Sequence, residues 1–164
     1  MAMGEESNYE GERIMCLQTI NKRKLPNLVR QGFKIFNKTE DGLTPLFYSS
    51  IDLFKTHIIK EGEWIKDPKY RIMIGYFFRP SYPCGYHIFD SVVDARYVMK
   101  NLINEYMLYS SRFSEKNLVI RRVLFRNITA HGSQTSASIC NTSNNRKRMK
   151  VYVAKEMYVM KENL

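Results

Sequence analysis

The sequence predicts an α+β fold in which one long helix packs on an antiparallel or mixed β-sheet. Strand-like segments lie on both sides of a single helical pattern, strands and helices do not alternate, and no internal repeat is visible. Of the 164 residues, 44% are hydrophobic and 13% are aromatic, which is enough to fill the core of one domain. We therefore predict a disordered leader over residues 1–12 and a single basic domain over residues 13–164.

The first half of the domain consists of short strand patterns joined by turns. Pro26 and the residues that follow it predict a short helix, because proline is favoured in a first helical turn. A strand over 33–38 and a return strand over 43–48 flank an Asp-Gly sequence, which favours a tight hairpin. Further strands are expected over 56–60 and at Trp64.

The helix follows a compact strand over 85–89. Asp90 or Ser91 can cap it, because either side chain can accept a hydrogen bond from the first helical turn. Apolar residues recur at helical spacing over 91–107, namely at Val92, Ala95, Met99, Leu102 or Ile103, and Tyr106. We expect this face to pack on a sheet that contains strands 33–38, 85–89 and 118–125.

The last part of the chain predicts a polar loop followed by a strand. Residues 129–145 are dense in Ser, Thr, Asn and Gly, which is typical of a loop. Residues 149–160 predict one final strand or a pair of strands.

Cysteine usage and the terminal sequence favour a cytoplasmic protein. Cys16, Cys84 and Cys140 are odd in number and far apart, so they are expected to be reduced thiols rather than a disulfide framework. The first residues are polar and acidic, unlike a signal peptide. The apolar runs fall far short of the ~20 residues that cross a bilayer, so we expect no membrane partner.

Metal and cofactor signals are weak. Cys84 and His87 have Cys-x-x-His spacing, but the remaining candidate ligands, His131 and Cys140, match no known zinc pattern. We expect no metal and no cofactor. A half-buried structural histidine is the simplest interpretation of His87; the alternative is a candidate ligand site formed by Arg79, Tyr86 and His87, beside a helix N-terminus that suits anions.

The net charge of +10 is concentrated in blocks. Residues 21–38 carry +6, residues 112–126 carry +4 and residues 146–161 carry +5. Such blocks favour an anionic partner, which could be a nucleic acid, a nucleotide or an acidic protein. The alternative is a solvated surface that keeps the protein soluble.

Six basic residues are the candidate anion-binding residues, and we predict that they meet on one face and contact phosphates. They are Arg121, Arg122, Arg126, Arg146, Lys147 and Arg148. Since adjacent residues of a strand point to opposite faces, at most one of Arg121 and Arg122 should join that face. Aromatic residues accompany these blocks, as single-stranded nucleic-acid binding would require, although strand aromatics usually belong to a core.

A succession of short motifs resembles a group of small uncharacterised phage and bacterial mobile-element proteins. It comprises the hairpin from Lys34 to Phe47 with its Asp-Gly turn, Gly62-Glu63-Trp64, Gly85-Tyr86-His87 and Ala154-Lys155-Glu156-Met157. The resemblance covers about residues 33–160. It implies a phage-type accessory or host-defence-modulating protein and supplies no catalytic residue.

The sequence therefore favours a non-enzymatic binding protein that uses a basic face to engage nucleic acid or a nucleotide. One alternative is a small enzyme acting on nucleotides or nucleic acid, centred on His87. The other is a protein–protein interaction module that faces an acidic protein.

Overall fold

The computed structural model describes residues 17–46, 58–67, 72–73, 81–106, 115–135 and 147–161. Their elements, in chain order, are β1 (Thr19–Ile20), β2 (Arg30–Thr39), β3 (Gly42–Pro45), β4 (Trp64–Lys66), β5 (Ile72–Met73), β6 (Tyr82–Pro83), β7 (Tyr86–Phe89), α1 (Val92–Tyr106), β8 (Leu118–Thr135) and β9 (Arg148–Val159). The predicted leader, Arg79, Cys16, Cys140 and Arg146 lie outside the described residues.

The sheet is antiparallel and its strand pairings close into a ring. β8 pairs with β2, β2 with β7, β7 with β9, and β9 again with β8. β1, β3 and β4 extend this sheet at its edges, and β5 and β6 form a separate small pair. The predicted α+β class is confirmed, with α1 as the one helix of more than a single turn among the described residues.

The strands bury side chains on both faces of the sheet. The ring encloses an inner core, which includes Phe36, Ile88, Val123, Phe125 and Met157. The opposite face forms a helix-side core with α1, which includes Ile35, Phe89, Ala95, Val98 and Ile120. Two-sided burial explains why β2 and β9 contain apolar runs in place of a strict alternation.

Ser91 caps the helix as predicted. Its hydroxyl oxygen accepts a hydrogen bond from the backbone N–H of Val93 at 3.1 Å, which satisfies a donor that the first helical turn leaves open. Ala95 and Val98 are fully buried against β2, β7 and β8, so the predicted packing of the helix on these strands is confirmed. No helix among the described residues is long and apolar enough to cross a membrane.

The packing of the helix can be tested by replacing a buried and an exposed valine of α1 with alanine. We expect Val98→Ala to lower the free energy of unfolding by about 2 kcal/mol, because it removes two buried methyl groups and leaves a cavity. Val93→Ala should have almost no effect, since that side chain is 59% exposed. Urea denaturation of both variants checks this; equal stability of the two would contradict the packing.

Two local predictions were wrong. The residues after Pro26 form no helix, and β2 already begins at Arg30 because it pairs with β8. Residues 129–135 belong to β8, not to a loop, since β9 supplies ladder partners for these polar residues from Ala130 to Thr135. The predicted tight hairpin is confirmed: β2 and β3 pair on either side of Glu40 and Asp41, and Gly42 has a positive φ of 140°.

A buried lysine lies where β2 changes its partner. Phe33 pairs with Phe89 of β7, and a few residues later β3 takes over as the neighbour of β2. At the divergence, Lys34 Nζ donates to the carbonyl oxygens of Leu46 at 2.8 Å and His87 at 2.9 Å. The Lys34 amino group thus donates to two carbonyls in the interior, at the place where the strands diverge.

Candidate nucleic-acid interface

Part of the helix-side face of the sheet continues beyond α1 and carries polar and aromatic side chains. We call this part the outer face. Cross-strand partners place its residues in two rows, Gln31–Leu124–Tyr158–Trp64 and Arg126–Glu156–Lys66. Trp64 is 39% exposed, and Gln31 and Lys66 are exposed as well. The outer face is therefore an open surface with aromatic and basic groups on adjacent strands.

Strand alternation produces this surface, and one unusual residue ends it. Phe125 and Met157 point into the inner core, so their neighbours Arg126 and Tyr158 point outward. Asn127 adopts a left-handed conformation with a φ of 55°, which asparagine tolerates better than most residues. Beyond it, Ile128 packs against the inner core, so the alternation slips by one residue and the outer face stops.

The Arg126 guanidinium lies over the Trp64 ring. Its central carbon is 4.3 Å from the ring centroid, a typical cation–π distance. Tyr158 flanks the indole with a centroid separation of 5.9 Å and a tilt of 55°. Strands β4, β8 and β9 each contribute one of these three groups. The arrangement places an aromatic stacking surface and a guanidinium group side by side.

Glu156 orients this arginine. Its Oε2 accepts a hydrogen bond from Arg126 Nε, and its Oε1 accepts one from Asn127 Nδ2 at 2.5 Å. The hydrogen bond from Arg126 holds the pKa of the Glu156 carboxyl below its usual range, so the carboxylate is charged at neutral pH. Because Glu156 occupies Nε, the end edge of the Arg126 guanidinium, where Nη1 and Nη2 each carry an N–H that points away from the side chain, is left for another acceptor.

A basic loop is anchored to β8. Lys22, Arg23 and Lys24 are all exposed. The Arg23 carbonyl contacts His131 Nε2 at 2.7 Å, and Asn27 Oδ1 accepts a hydrogen bond from the Asn127 N–H at 3.1 Å. Three exposed positive charges therefore lie on a loop that is attached to the same strand as Arg126.

The predicted anion-binding residues do not gather in one place. Arg121 is only 6% exposed, and its Nε donates to Glu61 at 2.7 Å, so its charge is already neutralised inside the protein. Its neighbour Arg122 is partly exposed and precedes Leu124 and Arg126 on their side of β8. Of the arginines predicted in this strand, Arg126 is the one placed on the outer face with its guanidinium open to solvent.

The basic residues Lys147 and Arg148 lie at the opposite end of the β8–β9 strand pair from Arg126. Arg148 pairs with Thr135, nine residues beyond Arg126 along β8. Lys147 Nζ contacts Asp94 of α1 at 2.6 Å and lies over the Tyr97 ring. The strand register thus separates Lys147 and Arg148 from Arg126. Lys147 and Arg148 lie at the start of β9, whereas Arg126 pairs with Glu156 near the end of that strand.

The candidate ligand site at His87 is buried. His87 is 1% exposed and its Nε2 lies 2.9 Å from the Tyr82 hydroxyl, within the helix-side part of the protein. Tyr86 has no exposed surface, and burial followed by the Asp67 carboxylate raises the pKa of its phenol. The two adjacent side chains point to opposite faces of β7 and offer no surface to a substrate. The structural interpretation of His87 fits this placement.

The described residues contain no group of three potential metal ligands. Cys84 is buried and unpaired with any other cysteine, and His131 contacts a backbone carbonyl and the Tyr152 ring. Known protein families, curated proteins and solved structures yield no match to this chain.

Sequence reasoning identified Arg126 but missed the residues that act with it. Trp64 and Glu156 entered only as members of short motifs or of a predicted strand, Tyr158 only among the aromatic residues that accompany the charge blocks, and Asn127 not at all. Their proximity depends on two strand registers, that of β4 against β9 and that of β9 against β8. A local signal existed in the alternation of Phe125 and Arg126, which predicts one inward and one outward side chain.

Proposed function

We propose that this protein is a non-enzymatic binding protein that engages single-stranded nucleic acid through the outer face and the basic loop. The observation that carries the proposal is the exposed contact of Trp64 with Arg126, together with three exposed basic side chains on a loop anchored to the same strand as Arg126. A cytoplasmic location, where Cys84 stays a reduced thiol, belongs to the same proposal.

The two parts of this surface suit the two parts of a nucleotide. Bases stack on aromatic rings and on arginine guanidinium planes, which the outer face provides. Phosphates are attracted by lysine and arginine, which the loop provides at Lys22, Arg23 and Lys24. Because a duplex hides the faces of its bases, this surface favours a single strand over a double helix.

The loop and the outer face should contribute differently to oligonucleotide affinity, and titrations at several salt concentrations can distinguish the two contributions. Trp64 is the single tryptophan of the chain, so its fluorescence reports directly on binding at the outer face. We expect single-stranded oligonucleotides to quench it, with an affinity that falls as salt rises. The combined change Lys22→Ala, Arg23→Ala and Lys24→Ala should reduce the slope of log affinity against log salt by about 2, or about 0.7 for each lost phosphate contact.

A charge-matched variant serves as the control. Arg96→Ala, Lys100→Ala and Lys116→Ala together remove three exposed charges from α1 and the turn before β8, away from the outer face. This variant should keep the slope of the natural sequence. Equal slopes for the two triple variants, or no quenching near physiological salt, would contradict the proposal. Quenching by an acidic protein alone would instead favour a protein–protein module.

A further inference from the structure

We propose that the Arg126 site reads the identity of one base, and that this base is guanine. The inference rests on the proposed function and adds a sequence preference to it. The Arg126 site consists of Arg126, Trp64, Asn127 and Glu156. It differs from the basic loop because its arginine is held in one orientation by the protein itself.

Two contacts fix the Arg126 guanidinium. The centroid of the Trp64 ring lies 4.3 Å from the central carbon of the guanidinium, and the Glu156 carboxylate accepts a hydrogen bond from its Nε. A second hydrogen bond, from Asn127 Nδ2, holds the carboxylate in turn. Among the described residues, none accepts a hydrogen bond from the terminal Nη groups, and the Arg126 side chain is 42% exposed. The site thus presents a pre-oriented pair of donors to a ligand.

The charge of the site favours a base edge over a phosphate. Glu156 is 15% exposed, charged, and in direct contact with Arg126, so the pair is close to neutral. A phosphate that approached the Nη groups would also meet the field of this carboxylate. A neutral base is not repelled by the carboxylate in this way. The loop residues Lys22, Arg23 and Lys24 form no ion pair with any other described residue and are the better phosphate contacts.

Guanine is the base whose acceptors match this fork. Its O6 and N7 form a planar pair of acceptors on one edge, which arginine contacts with two parallel hydrogen bonds. Adenine presents a donor beside its N7, and the pyrimidines lack a second acceptor in that position. A guanine bound in this way would lie edge-on to Arg126, with Tyr158 close to the same indole as a further stacking surface.

The test compares oligonucleotides that differ in one central base. Each contains that base within a run of uridines, and Trp64 quenching measures affinity. We expect guanine to bind about tenfold more tightly than adenine, the size of effect that one bidentate contact gives. Replacing guanine by 7-deazaguanine, which lacks the N7 acceptor, should abolish most of this preference in the natural protein.

Arg126→Lys provides the second arm, because lysine keeps the charge but loses the fork. It should remove the guanine preference while leaving the salt slope unchanged, whereas Arg96→Lys on α1 should keep the preference. Equal affinity for every central base would overturn the inference and leave the proposed function standing. A loss of affinity that is uniform over all bases in Arg126→Lys would also overturn it. Absence of binding by any oligonucleotide would overturn both.

Discussion

Raising the pH from 7 to 9.5 should stabilise the folded protein by about 3 kcal/mol through Lys34 alone. This side chain is fully buried, and its burial lowers the pKa of the ammonium from 10.5 to about 7. Between those two values the unfolded chain retains the proton whereas the folded protein has released it. The unfolded state then binds more protons, so the free energy of unfolding rises with pH across this window.

The rise in stability that Lys34 causes is confined to a limited pH range. Below pH 7 the amine is protonated in both states and the folded protein bears the full cost of a buried charge. Above about pH 10 a second group acts in the opposite sense. Burial raises the pKa of Tyr86, so the unfolded chain ionises first and stability falls with further alkalinity. We therefore expect stability to be maximal close to pH 10, where the loss from Tyr86 begins to cancel the gain from Lys34.

Urea denaturation at several pH values measures this effect, and Lys34→Met supplies the control. Methionine fills a similar volume without a titrating group, so its variant should lose most of the rise between pH 7 and 9.5. The variant also removes the hydrogen bonds that Lys34 donates to the carbonyls of Leu46 and His87, so its free energy of unfolding should change at every pH. The test therefore compares only how that free energy changes with pH. If Lys34→Met and the natural protein gained equally with pH, the assignment to Lys34 would be wrong.

The placement of Lys34 illustrates what the sequence predicts and what it does not. The strand over 33–38 was predicted from its residues, and the structure confirms it within β2. The sequence also counts Lys34 among the positive charges of residues 21–38. Its burial depends on β3 and β7 diverging beside it, which no local pattern encodes. Strand propensity is local, but the neighbours of a strand are not.

The same distinction applies to the candidate interface. Helix α1 was predicted well because its apolar spacing and its cap lie within one segment. The charge blocks predicted an anion-binding face, but a count of charges does not record internal ion pairs. Arg121 and Arg126 look alike in the sequence, yet one pairs with Glu61 in the interior and the other lies on Trp64 at the surface.

Replacing Arg121 by alanine should lower the free energy of unfolding by about 3 kcal/mol and leave nucleic-acid binding unchanged. The Arg121 side chain is 7% exposed and Glu61 is 30% exposed. Losing one partner of a buried pair typically costs 3–5 kcal/mol, and the partial exposure of Glu61 puts this pair near the lower end. Packing of the long alkyl chain contributes as well.

Arg126→Ala is the matched variant, since it removes the same side chain five residues further along β8. It should cost less stability, because Arg126 is much more exposed, and it should weaken oligonucleotide quenching of Trp64. A double-mutant cycle of Arg121→Ala with Glu61→Ala isolates the ion pair from the packing. If Arg121→Ala weakened nucleic-acid binding at full stability, Arg121 would be a phosphate contact after all, and its inward placement would be wrong.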